Sequence, residues 1–184
     1  AGFVNGEFEN GTTGWTVTPY YNGGVTSLGA APPKTPSTFA DLGLATGNTS
    51  YFSTVTGYLN NWAPGPDTST TPPVDQIKLP FAGAASGHLN GDATSRATNS
   101  VTTAVEQTIT VVAGDIDPSD GKLHVRMSFA PVLEDPSHAV YQQPYFYIEL
   151  VNKTTGQCIY NTFNYSNQLG VNWKNIGDLK YIDW

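Results

Sequence analysis

The sequence predicts an all-β protein, an antiparallel β-sandwich with long irregular loops in its first half, and three observations predict it. Apolar and polar side chains alternate with a period of two through the second half, as they do along half-buried strands. The 184 residues include 19 Gly and 13 Pro but only 12% charged residues, under the usual ~25%, a mix that suits turns and strands more than helices. Predicted strands follow one another too closely for parallel crossovers, which need a dozen or more residues.

In chain order, short strands are expected near WTVTPYY (15–21) and TSYFSTV (49–55). Between them and on to about Gln76 the pattern dissolves into PPKTPSTF, APGP and TSTTPPVD, so 16–75 reads as a loop-rich insertion in a single domain spanning 1–184. ADLGLATG from Ala40 is too short and too rich in glycine for a helix. VTTAVEQTITVV (101–112) sets Val105, Gln107, Ile109 and Val111 against Ala104, Glu106, Thr108 and Thr110. KLHVRMSFAPVL from Lys122 sets Leu123, Val125, Met127 and Phe129 against His124, Arg126, Ser128 and Ala130. PYFYIELV (144–151) turns Phe146, Ile148 and Leu150 inward and Tyr145, Tyr147 and Glu149 outward, and NKTTG (152–156) turns it into QCIYNTF.

Composition removes several classes of function. Eight Lys and Arg face fifteen Asp and Glu for a net charge of −7, so the basic stripe needed to neutralise phosphates is lacking and nucleic acid is no partner. No apolar run of about 18 residues is present, which argues against membrane insertion. Ala1, with neither an initiator Met nor a leader, predicts a mature exported chain. A lone Cys158 offers no internal disulfide and reads as a small buried hydrophobe. Sequons begin at Asn10, Asn48, Asn152 and Asn164, a number close to chance in so Asn- and Thr-rich a chain.

Catalytic constellations are missing. His88, His124 and His138 stand far apart in no zinc spacing, and GAASGHLNG has glycines without the spacing of a phosphate loop. Glu134 and Asp135 are adjacent, so on an extended segment they diverge, whereas paired glycosidase carboxyls must converge across a bond. The chain is therefore read as no enzyme.

The order of VNGEFENGTTGW, SGHLNGD, VEQTITV, KLHVRMSF and QPYFYIEL with its following NKTTG resembles the bacterial galactose-binding-like jelly-roll modules, many of them carbohydrate-binding. That resemblance implies a jelly roll whose first strand carries "FE", with Gly11 and Gly14 turning the chain and Trp15 capping the core. It implies a structural calcium ion stapling this region to the last strand, with Glu9 as the first ligand and Asn5 or Glu7 as the next. Solvated charges that discourage edge pairing are the other reading of Glu7 and Glu9. Family members run on past a phrase like YIDW, so closing strands are expected beyond Trp184.

If the strands from Lys122 and Pro144 are neighbours, His124 and Arg126 share an outward surface with Tyr145, Tyr147 and Glu149. Flat rings among hydrogen-bonding groups are what a saccharide cleft needs. Trp62, between turn residues in YLNNWAPG, is a further ligand candidate. These features predict a secreted or cell-surface, non-catalytic module for carbohydrate recognition or adhesion. The alternative is a structural subunit of an extracellular filament or surface layer, completed by strand or loop contacts with neighbouring protein subunits.

Overall fold

The computed structural model describes residues 2–21, 36–47, 50–55, 66–67, 74–75, 83–90, 101–135, 137, 139–140, 143–176 and 179–182. It is all-β. In order the strands are β1 (Thr16–Tyr21), β2 (Ala45–Thr46), β3 (Phe52–Val55), β4 (Pro66–Asp67), β5 (Val74–Asp75), β6 (Ser86–Leu89), β7 (Val101–Glu106), β8 (Val132–Glu134), β9 (Tyr145–Asn152), β10 (Gln157–Tyr165), β11 (Lys174–Ile176) and β12 (Leu179–Tyr181). Helix among the described residues is confined to two 3-10 turns, Phe39–Leu42 and Ala113–Asp115, and no helix is long and apolar enough to cross a membrane.

Every pairing is antiparallel: β2-β1-β7, β10-β9, β11-β12-β8, β3-β6 and β4-β5. Pro19 lies within β1 yet costs no ladder bond on the β2 side, because β2 pairs only with Tyr20 and Tyr21. The β9–β10 turn is closed by Asn152, whose Oδ1 accepts the Thr154 and Thr155 amides while its carbonyl accepts the Gly156 amide. Gly156 has φ 72°, which glycine adopts without a Cβ penalty.

The opening residues form overlapping turns rather than a strand. The amides of Phe8, Gly11, Thr13 and Trp15 donate to the carbonyls of Asn5, Phe8, Asn10 and Thr12. Gly11 and Gly14 do turn the chain, at φ 59° and 84°, but Phe8 of the "FE" pair is itself left-handed at φ 55°. Trp15 stacks between Phe3 and Phe8 at 5.4 and 5.0 Å, and Phe8 reaches Phe52 of β3.

Gln107 fastens this turn cluster to β7. Its Oε1 accepts the Val4 amide at 2.6 Å and its Nε2 donates to the carbonyls of Val4 and Gly14, each at 2.9 Å. The strand expected over 101–112 ends at Glu106: the side chain of Gln107 joins Val4 and Gly14, 103 and 93 positions away, and 107–112 continue without a ladder.

Two further expectations are corrected. Of 122–133 only the end enters a strand, where Val132 and Leu133 meet β12; residues 123–131 carry no ladder, and β7, β8 and β9 each pair elsewhere. A period of two reports which side chains face protein, not whether the backbone has a partner. The predicted faces of β9 are not segregated as expected, since residues 145–149 are all half-buried. Tyr145 and Tyr147 pack on the cluster of Leu42 and Phe163, whereas Leu150 is 36% exposed.

Replacing Gln107 with Ala leaves the Val4 amide without its partner and is expected to cost about 1–2 kcal/mol, lowering Tm by about 2–8 °C. Thermal unfolding followed by circular dichroism checks this.

Candidate functional site

The aromatic face of β9 and β10 is built by register. Tyr145, Tyr147 and Glu149 lie opposite Tyr165, Phe163 and Asn161 respectively, so the six side chains share one side of the hairpin. That side is occupied by the protein's own chain. Leu42, 2% exposed, packs against Phe163, and the Phe39 ring sits 5.2 Å from Tyr20 of β1 and 6.3 Å from Tyr147. The Phe39 amide and the Tyr147 hydroxyl both donate to Glu149 Oε2 at 3.0 Å, and Asn161 Nδ2 donates to the Ser37 carbonyl.

Burial pushes the Tyr145 phenol up, and the Tyr147 phenol is held well above its ordinary range, by desolvation first and then by its bond to Glu149 and that carboxylate's charge. Tyr145, Tyr147 and Glu149 are thus brought together, as packing that joins β1 to the hairpin.

His124 stands elsewhere, beside the turn Asp117–Lys122, and the Arg126 charge acts on Asp117 of the same turn. Asp117 and Lys122 form a bridge, the Asp117 carbonyl accepts the Gly121 amide, and Asp117 Oδ1 accepts the amide and hydroxyl of Ser119. The Ser119 hydroxyl and then its amide hold the Asp117 carboxyl below its ordinary value. His124 Nε2 lies 2.9 Å from Asp120 Oδ2 and 4.0 Å from Asp117 Oδ2, and one ligand atom from each of the three falls within 4.8 Å of the others. This open acidic turn was missed by sequence reasoning; the signal was DPSDG three residues ahead of His124.

At the opening turns, Glu7 and Glu9 converge on Gly83. Glu9 Oε1 accepts the Ala84 amide at 2.8 Å. A Cβ on Gly83 would lie 2.5 Å from Glu7 Oε2 and 2.9 Å from Glu9 Oε1, and Gly83 has φ 73°, a left-handed backbone that glycine adopts without strain. Two carboxylates therefore stand side by side at the Gly83–Ala84 backbone, and hard oxygens of this kind are the ligands calcium takes. The segment they reach is Gly83–Ala84, ahead of β6, not the last strand. Asn5 serves the turns: its Oδ1 accepts the Asn10 amide, its Nδ2 donates to the Gly11 and Thr13 carbonyls, and its own carbonyl accepts Trp15 Nε1.

Trp62 lies outside the described residues. The Asp135 carboxylate, largely buried, accepts Gln143 Nε2 at 3.0 Å and faces Lys180 Nζ at 3.5 Å. Gln143 in turn accepts the hydroxyl of Ser166, which is fully buried.

The opposite side of the hairpin is open at one end only, at Leu150 and Tyr160, while Phe146, Ile148, Thr162 and Asn164 are half-buried. Tyr160, 57% exposed, lies across from Leu150, and Thr162 and Asn164 lie across from Ile148 and Phe146. Asn164 Nδ2 donates to Thr162 Oγ1 at 3.0 Å, and Phe129 covers Phe146 with ring centres 5.4 Å apart.

Comparison with known proteins finds no matching family, no matching curated protein and no matching solved structure.

Folding raises the phenol pKa values of Tyr145 and Tyr147, so their neutral form contributes stability that is fully present below the unfolded value of about 10 and is lost as pH rises through the folded values. Tm is therefore expected to fall between pH 9 and 11 more steeply in the native protein than in Tyr147→Phe. Parallel slopes for the two proteins would contradict the packing assigned to Tyr147.

Proposed function

We propose that the chain is a secreted or cell-surface, non-catalytic binding module of the galactose-binding-like jelly-roll kind, and that it recognises carbohydrate on the outer face of the β9–β10 hairpin. The observation that carries this reading is the exposed Tyr160 ring, next to a bulge in β10, on the same side of the hairpin as the half-buried Thr162 hydroxyl and Asn164 amide. Sugars offer C–H patches to flat rings and hydroxyls to amide and hydroxyl side chains, and the low charge of this chain suits a neutral ligand. Calcium belongs to the same proposal as a structural ion held by Glu7 and Glu9.

A second reading, the subunit of an extracellular filament or surface layer, is favoured by one observation. Met127 and Phe129, 50% and 43% exposed, lie on the unladdered stretch 123–131, where a neighbouring strand would find both backbone and apolar surface.

Tyr160→Ala is expected to weaken retention on immobilised neutral polysaccharide about tenfold, the scale of one aromatic contact, with little change in Tm. Undiminished retention removes the hairpin face from the reading. Millimolar calcium is expected to raise Tm and EDTA to reverse the rise; in Glu7→Gln the response should vanish. Size-exclusion chromatography and negative-stain imaging separate the two readings, since a recognition module stays monomeric while a filament subunit polymerises.

A further inference from the structure

Asp135, Gln143, Ser166 and Lys180 form a polar cluster inside the protein, apart from the hairpin face and from the Glu7 and Glu9 carboxylates. Ser166 is fully buried and Gln143 is 6% exposed, while the Asp135 and Lys180 side chains keep only 13% and 20% of their surface. A buried ion pair is often no better for stability than apolar side chains of the same size, so its presence calls for a further reason. Asp135 Oδ2 faces Lys180 Nζ at 3.5 Å, and Asp135 Oδ1 accepts a hydrogen bond from Gln143 Nε2 at 3.0 Å. Ser166 Oγ donates to Gln143 Oε1 at 2.7 Å.

Each of these contacts meets one requirement of amide exchange. The Lys180 amine is a nucleophile held against a base. The Gln143 carboxamide is an acyl group whose oxygen, where negative charge develops on attack, already meets a fully buried hydroxyl donor. Its nitrogen must be protonated to leave, and it touches the same carboxylate that faces the lysine, so one group can act as base and then as acid. The fold supplies the proximity. Lys180 lies in β12, Asp135 directly follows its partner strand β8, and Gln143 and Ser166 flank the β9–β10 hairpin at its open ends. Groups fixed in this way react as if at very high concentration.

We propose that Lys180 and Gln143 condense spontaneously into an internal amide cross-link, with Asp135 as the proton carrier and Ser166 as the donor to the carbonyl oxygen. Rotation of the flexible lysine stem brings Nζ from Asp135 to Gln143 Cδ. The Nζ–Cδ bond forms and the Cδ–Nε2 bond breaks. Two protons pass in turn from Nζ through the Asp135 carboxylate to Nε2, which departs as ammonium; the carboxylate is regenerated, and no oxidant or cofactor takes part. The acyl group is that of Gln143 because reaction at Asp135 would use up the proton carrier. In a chain whose one cysteine is free, the bond does what a disulfide does elsewhere, closing the loop from Gln143 to Lys180 that contains the hairpin.

The test is the intact mass of the purified native chain, unfolded in denaturant so that only covalent bonds count. A mass about 17 Da below that of the sequence, one ammonia, is expected, and digestion should release a branched peptide joining Gln143 to Lys180. Lys180→Arg keeps the positive charge without the amine and should show its full mass, as should Asp135→Asn, which keeps the shape without the proton carrier. Loss of the cross-link in Lys180→Arg is expected to lower Tm by about 5–15 °C. Full mass in the native chain overturns the proposal. So does a loss of about 18 Da, one water, which sets the bond on a carboxyl instead. An ammonia loss that persists in Lys180→Arg overturns it too, since it belongs to cyclisation of an asparagine such as Asn5 or Asn10, each followed by glycine. If a variant fails to fold, the native chain decides alone by its mass and its branched peptide.

Discussion

The seating of Leu42 and Phe39 against the β9–β10 hairpin is the interaction on which the rest of the described structure depends. Fully buried apolar side chains are few, and Leu42 with Phe163 forms the cluster on which Phe39, Leu44, Tyr145, Tyr147 and Tyr165 pack. Because the Phe39 ring also meets Tyr20, this segment carries the contact between β1 and the hairpin. Burying Leu42 is worth about 2–3 kcal/mol and the half-buried Phe39 adds a smaller amount, together a large share of the net stability of a domain this size. The polar group that comes with them, Glu149, is acceptable there because the Phe39 amide and the Tyr147 hydroxyl satisfy it.

Carboxamides hold several of the loops, alongside carboxylates such as Asp41 and Asp117. Asn5 gathers the opening turns, Gln107 ties them to β7, Asn152 closes the hairpin and Gln143 links Ser166 to Asp135. Carboxamides donate and accept at once, so one side chain replaces two backbone partners without the desolvation penalty of an ion. The same economy leaves the open hairpin face neutral, with a ring, a hydroxyl and an amide in place of charges, and this links the way the loops are held to the kind of ligand proposed.

The hairpin, its turn and the short strands at Thr16–Tyr21 and Phe52–Val55 were legible in the sequence, because each is announced by a local signal: alternation within strands and an Asn–Gly turn between them. The site was much less legible. Tyr147 and Glu149 were rightly grouped, since positions two apart on a strand share a side, but were assigned to solvent. Pairing of consecutive alternating segments would set His124 and Arg126 beside them, but residues 123–131 join no ladder and His124 meets the acidic Asp117–Lys122 turn instead. Glu7 and Glu9 could be singled out from the sequence, but their convergence on Gly83, more than seventy positions away, could not.

What the sequence determined by itself was the all-β class, the antiparallel hairpin and the turn chemistry, since period-two alternation and residues such as Gly156 act within a few positions of the chain. Only the tertiary structure decided which face of that hairpin is interior. Tyrosine is apolar enough to be buried and polar enough to be exposed, so the side on which Tyr145 and Tyr147 fall is set by whatever distant segment arrives to cover them. Here it is Phe39–Leu42, roughly a hundred residues earlier, and its arrival leaves Leu150 and Tyr160 to the solvent.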